Sequence, residues 1–460
     1  MRKQKILRTA IIGCILILLC TDGIAAQDEN QPQPSEGTGQ TAPILVGPKS
    51  PDDVSLGQEG YHPEGRRIGT PTDVERDLDY SFPKRDYILP RLLPKLWFKW
   101  KEDLYENYGV KLGLSYQAIY QNASDTTPIG DDEVGAGWLL VEGKWEMFNR
   151  GEDFEGSLVA AFDWRHTFTN GRDPVAWGVV DVGSLWFTDG VHIEWDPWVP
   201  VAFWEQWFKK DRFVLRVGQQ NVGQIYDFFR FKDPRVAFGG TVLIAPAVTM
   251  PFPGPGLGAA FELWPIEKST LYVVGTVNDM NFEIRKWTWG EAVSERDFFY
   301  GLEVGYNWVR APGDFDHLHV NLFYADEPDE NPRPSLPSES GWGFKVLGEK
   351  QIGRFVGFGS YVYNTSKGGA FGFTLADHSA TAGLAVLKPL GLRGEVGLGG
   401  SWAHPENDTL DSQYGLEAYW KFLLLPSIWV TPGVQMIFEP TFNPQEDVIT
   451  IGQIKARLFF

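Results

Sequence analysis

The stretch Asp447–Phe460, DVITIGQIKARLFF, decides the fold. Val448, Thr450, Gly452, Ile454, Ala456, Leu458 and Phe460 share one face of a period of two, and Gln453, Lys455 and Arg457 share the other, with Phe459 beside them. A period of two means a strand, because successive side chains leave opposite sides of the pleat. One face suits hydrocarbon or a core, and the other suits water. Taken alone, the stretch is either the last strand of a soluble sandwich or the closing strand of a membrane barrel.

The same alternation recurs upstream. VKLGLSYQAIYQ sets Val110, Leu112, Leu114, Tyr116, Ala118 and Tyr120 against Lys111, Ser115, Gln117 and Gln121. FVLRVGQQ sets Phe213, Leu215 and Val217 against Arg216 and Gln220, and FFYGLEVGYNWV sets Tyr300, Leu302, Val304, Tyr306 and Trp308 against Glu303 and Asn307. YGLEAYWKFLLL sets Tyr414, Leu416, Ala418, Trp420 and Phe422 against Glu417 and Lys421. Several apolar rows begin or end on Tyr or Trp, the side chains that suit a boundary between hydrocarbon and water. A sandwich core has no such boundary, so the balance moves to the membrane.

Connection lengths point the same way. Back from Phe460 they fall near Glu439–Asp447, Leu425–Ile428, Ala403–Gln413 and Pro389–Gly391, alternately long and short. Outer-membrane barrels show that asymmetry, with short turns on the periplasmic side. About sixteen strands are expected between Gly109 and Phe460, and an even number brings both ends of the barrel to one side. A barrel of that size leaves an aqueous channel, whereas eight strands can be filled by their own side chains. The expected fold is therefore all-β, a transmembrane antiparallel barrel preceded by one short amphipathic helix. Trp97, Trp100, Leu104 and Tyr108 carry the helical spacing, and Gly109 is its stop.

Composition bounds the partners. Arg2, Lys3, Lys5 and Arg8 precede a short apolar run, Ile11–Leu19, with small residues at Gly23 and Ala25. Residues 1–25 read as a secretory signal peptide, too short in its apolar part to span a bilayer. Cys14 and Cys20, the only cysteines, lie inside it. It carries a net +3, so the formal charge of −19 becomes −22 once it is removed. Such a charge argues against nucleic acid or anionic lipid as partners. The 19 Trp, 16 Tyr and 31 Phe beside 51 Gly suit aromatic girdles at two membrane interfaces. Residues 26–95 are polar and rich in Pro and Gly, and read as a flexible periplasmic segment before the barrel, residues 96–460.

Enzyme signatures are missing: no G-x-S-x-G, no H-E-x-x-H and no phosphate-binding loop. No catalytic group, cofactor or metal is assigned, although His317 and His319 share a strand face with Asn321. The candidate pore lining is the set of inward charges and their neighbouring aromatics: Glu205, Trp207, Arg216, Glu262, Glu303, Arg393, Glu395 and Glu417. Sugar hydroxyls want charged or bidentate partners, and sugar C–H faces stack on rings. Residues 221–256 alternate weakly, contain five prolines and carry Tyr226, Phe228, Phe229, Phe231, Phe238 and Phe252. Such a length without alternation reads as a functional loop, here folded inward to narrow the pore.

WKEDLYENYGVKLGLSY, WEQWFKKDRFVLRVGQQN, PFPGPGLGAAFELWP, GLEVGYNWVRAPGDF and the final fifty residues together resemble the carbohydrate-selective porins of the OprB family. The resemblance covers about Leu96 to Phe460. It implies a sixteen-stranded outer-membrane porin, monomeric or loosely associated, that passes monosaccharides by facilitated diffusion. It implies a constriction lined by Arg, Glu and aromatic residues, for which Glu205, Arg216 and Glu303 sit in the best-matching segments. LGLRGEVGLGG, with Arg393 and Glu395, fits more loosely. The last strand also resembles the sorting signal read by the outer-membrane assembly machinery. A non-selective or cation-preferring diffusion porin is the alternative, suggested by the net acidity.

Overall fold

The computed structural model describes residues 72, 74, 95–169, 171–209, 212–265, 271–281, 286–307, 316–328, 338–369, 374–392, 394–425 and 428–460. The expected signal peptide lies outside them, as does the segment at 26–95 apart from Thr72, Val74 and Lys95.

Sixteen antiparallel strands close on themselves, each paired to the next and the last to the first. They are β1 (Val110–Ala123), β2 (Glu133–Phe148), β3 (Gly156–Thr167), β4 (Trp195–Lys209), β5 (Phe213–Gln220) and β6 (Gly256–Leu263). Then come β7 (Leu271–Asp279), β8 (Phe298–Asn307), β9 (His317–Ala325), β10 (Gly341–Ile352) and β11 (Phe355–Asn364). The rest are β12 (Ala376–Leu387), β13 (Gly394–Pro405), β14 (Gln413–Leu425), β15 (Ile428–Phe438) and β16 (Val448–Phe459). In β16 the expected rows part as the alternation requires: Gln453, Lys455 and Arg457 are buried on the inner side, and Ile454 and Leu458 look outward. Ser115 of β1 pairs with Phe459, and Ala123 with Ile451, which closes the ring.

Among the described residues no helix is long and apolar enough to cross a membrane. The strands carry the outward hydrocarbon face instead. Leu398, Leu416, Val434 and Ile454 are exposed around it, with Tyr120, Trp164, Trp342 and Tyr414 near one rim and Trp145, Phe148, Phe208 and Phe355 near the other. These two aromatic girdles mark the interfaces of an apolar band. Connections alternate in length as expected: β2 and β3, and β10 and β11, are joined by short links at one end, whereas β3 and β4, β5 and β6, and β7 and β8 are joined by long ones at the other. The connections expected near the C-terminal strands all fall within two or three residues of their places.

Helix α1 (Lys95–Tyr108) precedes the barrel at the short-turn end. Gly109 stops it with φ +70°, the left-handed cap that glycine reaches most readily, and its N–H returns to the Tyr105 carbonyl at 2.8 Å. Lys101 ties the helix to the last strand by donating to the Phe460 carbonyl at 2.9 Å. Burial pushes that ammonium down to about 8.

Two long connections turn into the lumen. Residues 221–255 do so as expected from their aromatics, with a single turn of helix, α3 (Thr241–Ile244). Residues 168–194, which the sequence reading passed over, do the same after α2 (Pro174–Val180), whose N-cap Asp173 accepts from the Ala176 N–H at 2.8 Å. Trp186, Phe187, Phe229, Phe231, Phe238, Val242 and Leu243 from these segments pack on inward Leu347, Val356, Phe358 and Tyr419. The lumen thus holds a hydrophobic core of its own, and part of the inner wall meets protein instead of water. Glycine makes room for it: a Cβ on Gly399 of β13 would stand 2.8 Å from Leu243 Cδ2.

Candidate functional site: the constricted lumen

Inward charges on the wall do two different jobs. The first is to hold the inward segments by their backbones. Glu417 on β14 accepts from the N–H groups of Gly239 and Gly240 at 2.6 and 2.9 Å. Lys455 on β16 donates to the carbonyls of Pro234 and Ala237 at 2.8 and 2.9 Å. Glu303 on β8 accepts from the Asp227 N–H at 2.6 Å and from the Tyr272 hydroxyl at 2.8 Å. Asp227 itself meets Lys345 of β10 at 2.7 Å. Burial opposes its charge, but Lys345 and Lys232 outweigh it and hold the carboxyl far below the usual range. The shorter insert is held by amides: Gln435 and Gln121 donate to the Thr188 carbonyl, and Gln413 accepts from the Leu185 N–H. Burial works against Asp189 in the same insert, yet His192 at 2.9 Å and Lys455 keep its carboxyl at about 2.

The second job is to pair within the wall. Glu205 of β4 stands in register with Arg216 of β5, so their side chains meet at 2.8 Å. The other Glu205 oxygen accepts from Lys144 at 2.9 Å and from the Trp207 indole at 3.2 Å. Glu395 of β13 meets Lys421 at 3.0 Å and accepts from the Tyr419 hydroxyl at 2.8 Å. Glu262 points inward from β6 and is buried. The structure thus brings Glu205, Trp207 and Arg216 together, while Glu303 and Glu395 stand on other strands. Arg393 lies outside the described residues. His317 and His319 stack at 5.1 Å on the inner wall, beside Glu349 and Asp227. Among the described residues no cluster is arranged to hold a metal ion.

A cavity of about 260 Å³ remains between the two inward segments and the wall of β2, β3 and β4. One water needs roughly 10–15 Å³ of such space, so a small solute fits with water around it. Its wall carries a constellation that the sequence reading missed. Arg165 of β3 has Trp138 of β2 and Trp195 of β4 as its register partners on either side. Its guanidinium consequently lies between two indoles, 3.9 and 3.6 Å from the ring centres. Asp163, two residues earlier and on the same face, accepts from Arg165 at 2.9 and 2.6 Å and from the Trp195 indole at 2.8 Å. Each cation–π contact contributes about 0.5–2 kcal/mol, and the forked carboxylate fixes the plane of the guanidinium. Arg235, whose guanidinium stands 5.7 Å from the Trp138 ring centre, is held by Asp233 at 2.6 and 2.9 Å, and Asp233 is shared with Arg457 at 3.3 Å. Lys232, Phe187 and Phe252 also line the cavity. The clue available in the sequence was FDWRHTF, Phe162–Phe168, where Asp163 and Arg165 share one face.

No known family model matches the chain, and no curated protein matches it. Among solved structures it is similar to the high-pH structure of Pseudomonas putida OprB, with TM-score 0.61 and 13% identity, over 79% of this chain and 97% of that one. The low-pH structure of the same protein aligns with TM-score 0.47 and 11% identity, over 80% and 98% of the two chains. A mutant porin of Rh. blastica aligns with TM-score 0.48 and 11% identity, over 76% and 100%. The last two scores are too low to bear weight, and at 13% identity the first speaks for the fold. The resemblance read from the residues thus meets a matching architecture. Sixteen closed strands, an apolar outer band and loops long at one end make this a porin-type barrel of the outer membrane.

Proposed function

We propose that this chain is an outer-membrane porin through which small carbohydrates cross by facilitated diffusion. The observation that carries the reading is Arg165, stacked between Trp138 and Trp195 and oriented by Asp163, on the wall of the cavity left by the inward segments. A sugar presents hydroxyls to fixed charged donors and C–H faces to rings, and this lining offers both. Of its charged groups, Arg165, Lys232 and Arg235 outnumber Glu142 and Asp163. With Asp233 on Arg235 and Asp227 on Lys232 the lining is close to charge balance, which suits a neutral polar solute better than an ion of either sign.

Mechanistically, the inward segments narrow the lumen and the wall anchors keep them there. A solute exchanges part of its water for the Arg165 edge and the neighbouring rings, then moves on, since no closed cage surrounds it. Swelling of protein-loaded liposomes tests this with glucose, lactose and a neutral solute of similar size. Faster entry of the sugars than the control supports the proposal. Equal rates for all three would leave a pore without sugar preference.

A further inference from the structure

The outward face of the barrel carries a groove of about 440 Å³ at the short-turn end of β9 to β12, edged by Leu318, Ile352, Phe355 and Leu384. Its floor is Gly348 of β10 and Gly357 of β11, whereas the same strands turn Val346 and Tyr361 outward farther along. A Cβ on Gly357 would meet nothing within 4 Å. The walls are almost wholly apolar, so water finds no partners there, and walls left uncovered forfeit dispersion contact. Charge stands at the mouth. Lys350 lines the groove and has Gly357 as its register partner, so its stem has room to lie over the glycine and carry the ammonium to the interface. Arg354 is exposed in the turn between Ile352 and Phe355. Among the described residues neither cation has an ion pair. Glu349, the acid in the lining, turns to the inner side of the wall and meets His317 at 3.1 Å. The mouth is thus cationic beside the Phe355 girdle, the level at which lipid headgroups lie.

We infer that this groove seats one anionic glycerophospholipid of the periplasmic leaflet, with an acyl chain over Gly348 and Gly357 and the phosphate at Lys350 and Arg354. The acidity of the whole chain disfavours anionic lipid in general, but the mouth is locally cationic and the groove beneath it takes the chain that a bare pair of charges could not hold. The site depends on the barrel's place in the membrane and not on which solute the lumen passes.

Native mass spectrometry of the full chain released from detergent micelles tests this with phosphatidylglycerol and, as a zwitterionic comparator, phosphatidylcholine with the same acyl chains. One phosphatidylglycerol is expected to bind about tenfold more tightly than phosphatidylcholine. Gly357→Leu fills the groove from an outward strand position that leucine suits, and should weaken both lipids about tenfold while the barrel still migrates as a folded species before boiling. Lys350→Gln combined with Arg354→Gln should abolish the preference for phosphatidylglycerol and leave phosphatidylcholine binding as it was. Equal binding by the original protein and Gly357→Leu would overturn the seat, and a preference that survives the double substitution would overturn the headgroup assignment. Tighter retention of lipid A would give the groove to the other leaflet, and a protein dimer that phosphatidylglycerol does not displace would give it to a second copy. Either result would refute the inference.

Discussion

The wall from β8 to β16 and the wall from β2 to β4 use the same residue types for opposite ends. In the first, Glu303, Glu417 and Lys455 spend their hydrogen bonds on the backbone of the inward segments. In the second, Arg165 gives only one hydrogen bond to the shorter inward segment, at the Val191 carbonyl, and its stacked guanidinium and two indoles line the cavity. A buried carboxylate is costly without partners, so the wall charges of the first sector require a loop to receive them, and the loop's N–H groups require the charges. The difference is one of what arrives from across the lumen. An inward Glu in an alternating strand is therefore a pore-lining residue or a structural anchor according to a segment elsewhere in the chain.

The comparison breaks most visibly at an anchor. Glu417→Ala removes the acceptor for two buried N–H groups, each of which costs about 1–3 kcal/mol when left unmade. The loop at 239–240 should loosen, and single-channel conductance should rise several-fold with more current noise while the barrel still migrates as a folded species before boiling. Unchanged conductance would mean that the loop is held by its apolar packing alone. An effect of middle size is expected in the other sector. Arg165→Ala should weaken block of the current by sugar about tenfold, a little over 1 kcal/mol, and leave conductance to small ions nearly as it was. Glu205→Gln sharpens the contrast, since Lys144 and Arg216 already occupy that carboxylate. Its block constant should move less than that of Arg165→Ala, and a larger shift would relocate the site toward the short-turn end.

Most of the fold could be read from the residues because a strand's period is local. The two rows of β16, the stop at Gly109 and the long and short connections all follow from neighbours a few positions apart. The inward turn of residues 221–255 was readable too, since so many aromatics do not suit a solvated loop. The insert at 168–194 was not, because its Trp177, Trp186 and Phe187 are spaced among glycines and resemble one more strand and turn. The Arg165 stack was hidden for a different reason. It depends on the register of β2 and β4 against β3, and Trp138 and Trp195 lie 27 residues before and 30 after Arg165. Register comes from pairing across the sheet, which no single strand specifies.

The smallest effect concerns the outer end of the inward loop. Leu375 N–H donates to the Val248 carbonyl of that loop at 2.9 Å, and Glu406 N–H donates to the Leu375 carbonyl at 2.9 Å, so the three form a relay at the long-loop rim. Burial pushes the Glu406 carboxyl up to about 7, with Lys367 opposing and Glu339 and Asp377 adding to the rise. A carboxyl raised in the folded state binds its proton more tightly there than in the unfolded chain. Its contribution is thus fully present below about 4.5 and is lost as pH rises through about 7. Hydrogen exchange at the Leu375 and Glu406 amides should speed up between pH 5 and 8 beyond the intrinsic rate, by a few-fold because the group is half exposed. Glu406→Gln, which cannot ionise, should flatten that dependence. A slope that survives the substitution would show that Glu406 is not its source.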